Sequence, residues 1–209
     1  ARLLTEEPGA GQWYAKSGTA ATEQDIDALY ADFKAQIEPS ILAHAEVIDG
    51  VAEMTAALRA KGIAVASTTG YTREMIGDLL PIAAKQGYEP DCVVTGDDVG
   101  CSRPAPFMIY ECMRQLNIYP AETVLKVGDT VLDIGEGKNA GTIAVGVLEG
   151  SNLIGLSKAA FEALSQAEQD ELCAQAEAKY MKAGADMVIR RIADLPKAVE
   201  AFNAKWSKQ

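Results

Sequence analysis

The sequence predicts an α/β fold: a parallel sheet with helices on both faces, preceded by a small helical domain. Two observations carry this expectation. From about residue 46 onward, short unbroken apolar runs (63–67, 93–94, 124–127, 143–147 and 187–189) alternate with stretches of helical periodicity. Strands buried on both faces read as continuous apolar runs, and helices between them suit the crossovers that parallel strands need. Residues 1–45, by contrast, carry helical spacing and no strand pattern. The expected division is a helical domain, 1–45, and a sheet domain, 46–209.

In the first domain, Ile26, Leu29, Tyr30, Phe33 and Ile37 recur at three- and four-residue steps, and Thr22 with Asp25 has the form of a helix cap. The Pro8-Gly9-Ala10-Gly11 segment makes residues 7–14 a turn or loop ahead of that helix. In the second domain, residues 50–61 form a helix with Val51, Met54 and Leu58 inward and Gly62 as its stop. The strand at 63–67 follows. Thr72 then opens a helix that Pro81 kinks or restarts, and Pro104 opens another that runs to Leu116. Helices at 158–164, 166–182 and 195–204 interleave with the last strands. This is a Rossmann-like arrangement, in which ligands gather beyond the carboxyl ends of the strands.

Composition narrows the partners. The chain of 209 residues is 48% apolar, with a formal charge of -11. That charge argues against nucleic acid or an anionic membrane, both of which need a basic surface. No apolar stretch has the length of a spanning helix, and the beginning of the sequence does not read as a signal peptide. Four cysteines without CxxC spacing and a single histidine, His44, make zinc unexpected and suit reduced thiols in the cytoplasm. One histidine also leaves little room for a Ser-His-Asp or Cys-His machine.

Polar residues cluster at three strand ends. The run Lys126-Val-Gly-Asp-Thr-Val-Leu-Asp133 delivers Asp129 at the end of a strand and Asp133 four residues later, on one face of a following helix. Two hard carboxylates there suit Mg²⁺ shared with a phosphate, although Asp133 in a first helical turn also fits a helix-dipole role. The strand before Thr69, Gly70 and Tyr71 offers hydroxyl and backbone donors to an anion, or simply a cap and turn. Arg103, just ahead of Pro104, could reach over the strand ends to a phosphoryl group, or lie solvated in its loop. The GxGxxA match at Gly135–Ala140 falls after the Asp pair and inside a helix, which excludes a dinucleotide loop; Gly141 reads as a helix stop.

Ser67-Thr-Thr-Gly-Tyr-Thr-Arg-Glu-Met75, Val94-Thr-Gly-Asp-Asp-Val99 with Ser102-Arg-Pro104, and Gly128-Asp-Thr-Val-Leu-Asp133 together resemble the phosphonoacetaldehyde hydrolase family of the haloacid dehalogenase superfamily. Gly137–Gly141 and Gly146–Leu156 continue the likeness. The resemblance implies a haloacid dehalogenase-like core under a helical cap, a homodimer through cap helices, and Mg²⁺-dependent cleavage of a small phosphonate to acetaldehyde and phosphate. A cap lysine would form a Schiff base with the aldehyde, and a first-motif aspartate would attack phosphorus. Thr69, Gly70 and Tyr71 would hold the substrate, with Thr69 also taking part in catalysis. Arg103 would neutralise the anion, Asp129 would bind Mg²⁺, and Asp133 would support the metal from behind.

The family's first strand, with its nucleophilic aspartate, has no match in residues 1–45, and neither Lys16 nor Lys34 has the context of the Schiff-base lysine. Residues 1–4 look like the continuation of a cap helix. The expectation is therefore a chain lacking an N-terminal segment, inactive alone, with two unpaired strand edges where the first strand would lie. Alternatives are another capped phosphatase or phosphomutase of the superfamily, or a non-catalytic protein that keeps the fold.

Overall fold

A computed structural model describes residue 4 and residues 8–206. The chain forms two compact units, Ala1–Ala45 and Glu46–Gln209.

The first unit contains helices α1 (Gly9–Ser17) and α2 (Glu23–Ala43). Helix α1 replaces most of the loop expected at 7–14; Glu7 and residues 1–3 lie outside the described residues. Pro8 occupies the N-cap position, where its missing N–H costs nothing, and Gly18 ends the helix at φ +77°. The two glycines inside α1 weaken it by about 1 kcal/mol each, and the helix formers from Gln12 to Lys16 carry it regardless. Helix α2 starts as the spacing indicates: Thr22 Oγ1 accepts from the Asp25 N–H at 3.3 Å, and Asp25 accepts from the Thr22 N–H at 2.8 Å.

In the second unit, chain order is α3 (Val51–Arg59), β1 (Ala66–Thr69), α4 (Arg73–Ile76), α5 (Leu79–Lys85), β2 (Cys92–Thr95), α6 (Phe107–Leu116), β3 (Leu125–Gly128), α7 (Val131–Ala140) and β4 (Ile143–Val147). Helices α8 (Lys158–Glu162) and α9 (Gln166–Lys182), strand β5 (Met187–Ile189) and helix α10 (Leu195–Trp206) complete it. All strand pairs are parallel.

Strand β4 shows why this half folds as it does. Ala144 and Gly146 face α7 and α9, where Ile134, Ala176 and Tyr180 are buried. Val145 and Val147 face the opposite way, onto Met54 and Leu58 of α3 and Leu195 and Val199 of α10. Alternation along one strand thus feeds two helical layers, each fully buried aliphatic side chain adding roughly 1.5–3 kcal/mol.

Three boundaries differ from the sequence expectation. Ile63 and Val65 pack on the α3/α10 cluster, and strand pairing starts only at Ala66, opposite Cys92. The break near Pro81 falls earlier, at Gly77-Asp78, with Thr72 capping α4 through the Met75 N–H. Residues 103–106 form turns rather than helix, with the Ala105 N–H bonded to Ser102 O, so α6 begins at Phe107. The strands also form two sheets instead of one, β1–β2 and β3–β4–β5. They part between β1 and β3, whose facing edges pair with no strand among the described residues.

Candidate active site

Strand β3 carries Lys126 in its interior and ends at Gly128, and Asp129 follows. A Cβ on Gly128 would lie 2.3 Å from Asp133 Cβ and Cγ, so only glycine lets the Asp133 side chain fold back over the strand end. Thr130 is extended and caps α7. Its Oγ1 accepts from the Asp133 N–H at 3.2 Å, while Asp133 Oδ2 accepts from the Thr130 N–H at 3.1 Å and Oγ1–H at 2.7 Å. Asp133 thus fills the cap role with one oxygen, while its other oxygen faces two cations. Oδ1 lies 3.1 Å from Lys126 Nζ and 3.3 Å from Arg103 Nε.

Arg103 is posed by α7. Asn139 Nδ2 donates to Pro104 O at 2.8 Å, and Gly135 allows Pro104 to approach closely. The Arg103 Nε–H points to Glu136 Oε2 at 3.2 Å as well as to Asp133, and Nη2 donates to Thr68 O at 2.6 Å and Thr68 Oγ1 at 3.2 Å. A guanidinium has five N–H groups. The pair on Nη1 has no partner among the described residues and remains available to an anion.

Of the residues singled out from the sequence, Arg103, Asp129 and Asp133 come together. Thr69, Gly70 and Tyr71 lie at the carboxyl end of β1, one to three positions beyond Thr68. Thr69 Oγ1 accepts from the Tyr71 N–H at 3.1 Å, which leaves its O–H as a donor. Arg103 meets Thr68 rather than Thr69 or Gly70. Lys126, Glu136 and Thr68 were not foreseen. The available signal was a lysine inside an otherwise apolar strand, since a buried ammonium demands anionic partners.

The two aspartates titrate in opposite directions. Burial opposes ionisation of Asp133, but the charges of Lys126 and Arg103 and the bond from Thr130 outweigh it and hold the carboxyl below the usual range. Asp129 is exposed at its rim, yet partial loss of hydration and then the Asp133 charge push its carboxyl upward. A cation beside Asp129 would relieve that repulsion. No three potential ligand side chains converge among the described residues. Of the residues singled out from the sequence, Asp129 would offer one carboxylate to a Mg²⁺, an ion that commonly completes its shell with water and phosphate oxygens.

A family model described as haloacid dehalogenase-like hydrolase matches residues 7–147. Phosphonoacetaldehyde hydrolase from Bacillus cytotoxicus is 40% identical over 200 residues, covering 95% of this chain and 76% of that protein. The enzyme of the same name from Lactiplantibacillus plantarum is 41% identical over 192 residues, 91% and 72% of the two chains. The chain belongs to the phosphonoacetaldehyde hydrolase family. A solved structure described as a phosphonoacetaldehyde hydrolase-like protein, from Oleispira antarctica, superposes with a TM-score of 0.93 at 33% identity, over 99% of this chain and 75% of that one. The chain thus spans about three quarters of the length of these family members. Among the described residues no helix is long and apolar enough to cross a membrane.

Proposed function

We propose that this chain carries the phosphonyl- and Mg²⁺-binding part of a hydrolase that splits phosphonoacetaldehyde into acetaldehyde and phosphate. The observation that supports this most is Arg103. Its Nε and Nη2 are fixed by Glu136, Asp133 and Thr68, while its Nη1 donors have no partner among the described residues and its charge is felt at the exposed Asp129 carboxylate. A pre-aimed planar cation next to a metal-binding acid is what a phosphonyl group needs.

In this reading Arg103 binds phosphonyl oxygens and holds the group in line. The Thr69 O–H and the Gly70 N–H donate to the same oxygens, while the Tyr71 N–H holds Thr69 Oγ1 in the turn that presents them. Asp129 would hold Mg²⁺, which when bound supplies charge neutralisation at phosphorus. Asp133 keeps Arg103 and the start of α7 in place. The nucleophilic aspartate and the Schiff-base lysine are proposed to come from sequence outside these 209 residues, on a strand inserted between β1 and β3 and on the cap. The lysine's imine with the aldehyde takes up the C–P bonding electrons as an enamine, while the aspartate carboxylate takes the phosphoryl group and passes it to water. Lys126 is unsuited to the imine role, because its ammonium is buried and engaged by three acceptors. The reading includes a homodimer, for which Leu29, Tyr30 and Phe33, exposed on α2, offer an apolar surface.

Borohydride added during turnover by the protein with its complete natural sequence tests the proposal. Substrate-dependent modification of one lysine, outside position 126, is expected. Turnover of a phosphate ester with no lysine modified would move the reading to a phosphatase.

A further inference from the structure

The polar cluster beneath Arg103 contains more charge than binding a phosphonate requires. Lys126 is 8% exposed and Glu136 is fully buried, and both point into the space between β1 and β3. The stem of Lys126 lies against Gly137, where an added Cβ would stand 3.0 Å from Lys126 Cβ and 3.2 Å from Cγ. Its Nζ then reaches Thr68 Oγ1 at 2.7 Å, Glu136 Oε2 at 2.8 Å and Asp133 Oδ1 at 3.1 Å. An ammonium has three N–H donors, and here each has an acceptor. Lys126 thus has nothing left for a substrate, in contrast to Arg103.

What the ammonium does is join the two sheets. Thr68 belongs to β1, Lys126 to β3, and Asp133 and Glu136 to α7. The same Thr68, Asp133 and Glu136 are the partners of Arg103. Every side-chain group that fixes the Arg103 guanidinium is therefore also a contact of Lys126, and the remaining anchor, Thr68 O, belongs to a residue that Lys126 holds. Two cations and two carboxylates share one buried site, so moving Lys126 moves the anchors of Arg103.

We infer that Lys126, paired with Glu136, is a positioning residue that sets the pose of the phosphonyl-binding Arg103 by bridging β1 to α7. The inference rests on the proposed role of Arg103 in binding the phosphonyl group. It assigns Lys126 no contact with substrate and no share in proton transfer.

Removing Lys126 alone would leave two buried carboxylates facing one guanidinium, and the variant could fail to fold. Lys126→Met combined with Glu136→Leu removes one charge of each sign at similar volume and also deletes Glu136 Oε1, which is buried without a hydrogen bond among the described residues. Such a replacement of an ion pair by apolar groups is commonly neutral for stability. Thr68→Val cuts the β1 end of the bridge together with the longer of the two Arg103–Thr68 bonds, leaves the bond to Thr68 O in place, and serves as the second variant.

Inorganic phosphate with Mg²⁺ is the binding probe, read by calorimetry, and turnover of phosphonoacetaldehyde is followed alongside it, both in the protein with its complete natural sequence. The double variant is expected to keep a native-like thermal transition while its phosphate Kd rises about tenfold, with KM rising in step, since a loosened binding group loses pre-organisation. Thr68→Val is expected to shift both in the same direction by about threefold. A folded double variant, or a Thr68→Val protein, with Kd and KM within twofold of the native values would overturn the inference and leave the pair purely structural. If the native protein binds phosphate but does not turn over phosphonoacetaldehyde, the substrate reading fails while the Kd comparison still decides the role of Lys126. No phosphate binding by the native protein would overturn both.

Discussion

Replacing Asp133 perturbs the node where the helix cap and the buried charges meet. Asp133 Oδ2 closes the cap with Thr130, and Oδ1 is one of two anionic groups facing Lys126 and Arg103. Breaking a buried pair by removing one partner costs about 3–5 kcal/mol. Glu136 remains at 2.8 Å from Lys126 and 3.2 Å from Arg103, so the lower end of that range applies. Asp133→Asn, whose amide oxygen can still cap, should cost about 3 kcal/mol. Asp133→Ala should cost about 4 kcal/mol, the difference being the lost cap. Urea unfolding at pH 7 measures both.

The pH dependence gives an independent reading. The folded Asp133 carboxyl ionises below its ordinary range, so the unfolded chain binds that proton more readily. The associated stability is fully present above the unfolded pKa of about 4, and it drains away as pH falls through the folded value. Asp133→Asn should remove that part of the acid sensitivity. Two variants within about 1 kcal/mol of the native protein, or an Asn variant with undiminished acid sensitivity, would show that Asp133 does not hold this corner together.

Gly128→Ala places a methyl group on Asp133 and should cost about 3–5 kcal/mol, because cap and ion pairs cannot survive a 2.3 Å approach; chemical denaturation measures it. Asp129→Asn removes a carboxylate whose ionised form the fold disfavours, so metal-free stability at pH 7 should hold or rise. The same variant should lower Mg²⁺-dependent turnover on the order of a thousandfold, and a normal rate would remove Asp129 from the metal site. Gly146→Ala brings a Cβ to 2.7 Å from the buried Tyr180 ring and should cost about 1–3 kcal/mol by overpacking, visible as a lower thermal midpoint.

The placement of Asp129 and Asp133 was legible because strand, glycine, acid and first helical turn are contiguous, and local geometry settles their relation. The Thr22/Asp25 cap was legible for the same reason. Helix α1 was hidden by Pro8 and its glycines, which read as a turn until Pro8 is seen to occupy the one place where a helix tolerates it. The start of β1 depends on where Val65 and Asp91 exchange hydrogen bonds, a fact about the partner strand that the apolar run at 63–67 cannot contain. Lys126 was passed over because its three partners lie 58, 7 and 10 positions away in sequence. Thr68 and Thr69 also look equivalent in sequence. Strand alternation sends one to Arg103 and Lys126, and a local turn holds the other.

Cleavage of a C–P bond at the Arg103–Asp129 corner is the proposed activity. Its most direct test is kcat/KM for phosphonoacetaldehyde against that for a sugar phosphate, with acetaldehyde and phosphate both quantified, in the protein with its complete natural sequence. The phosphonate is expected to be strongly preferred, the two products to appear in equal amounts, and Arg103→Ala to abolish both. Phosphate released from the sugar phosphate at a higher kcat/KM, with no acetaldehyde from the phosphonate, would contradict it.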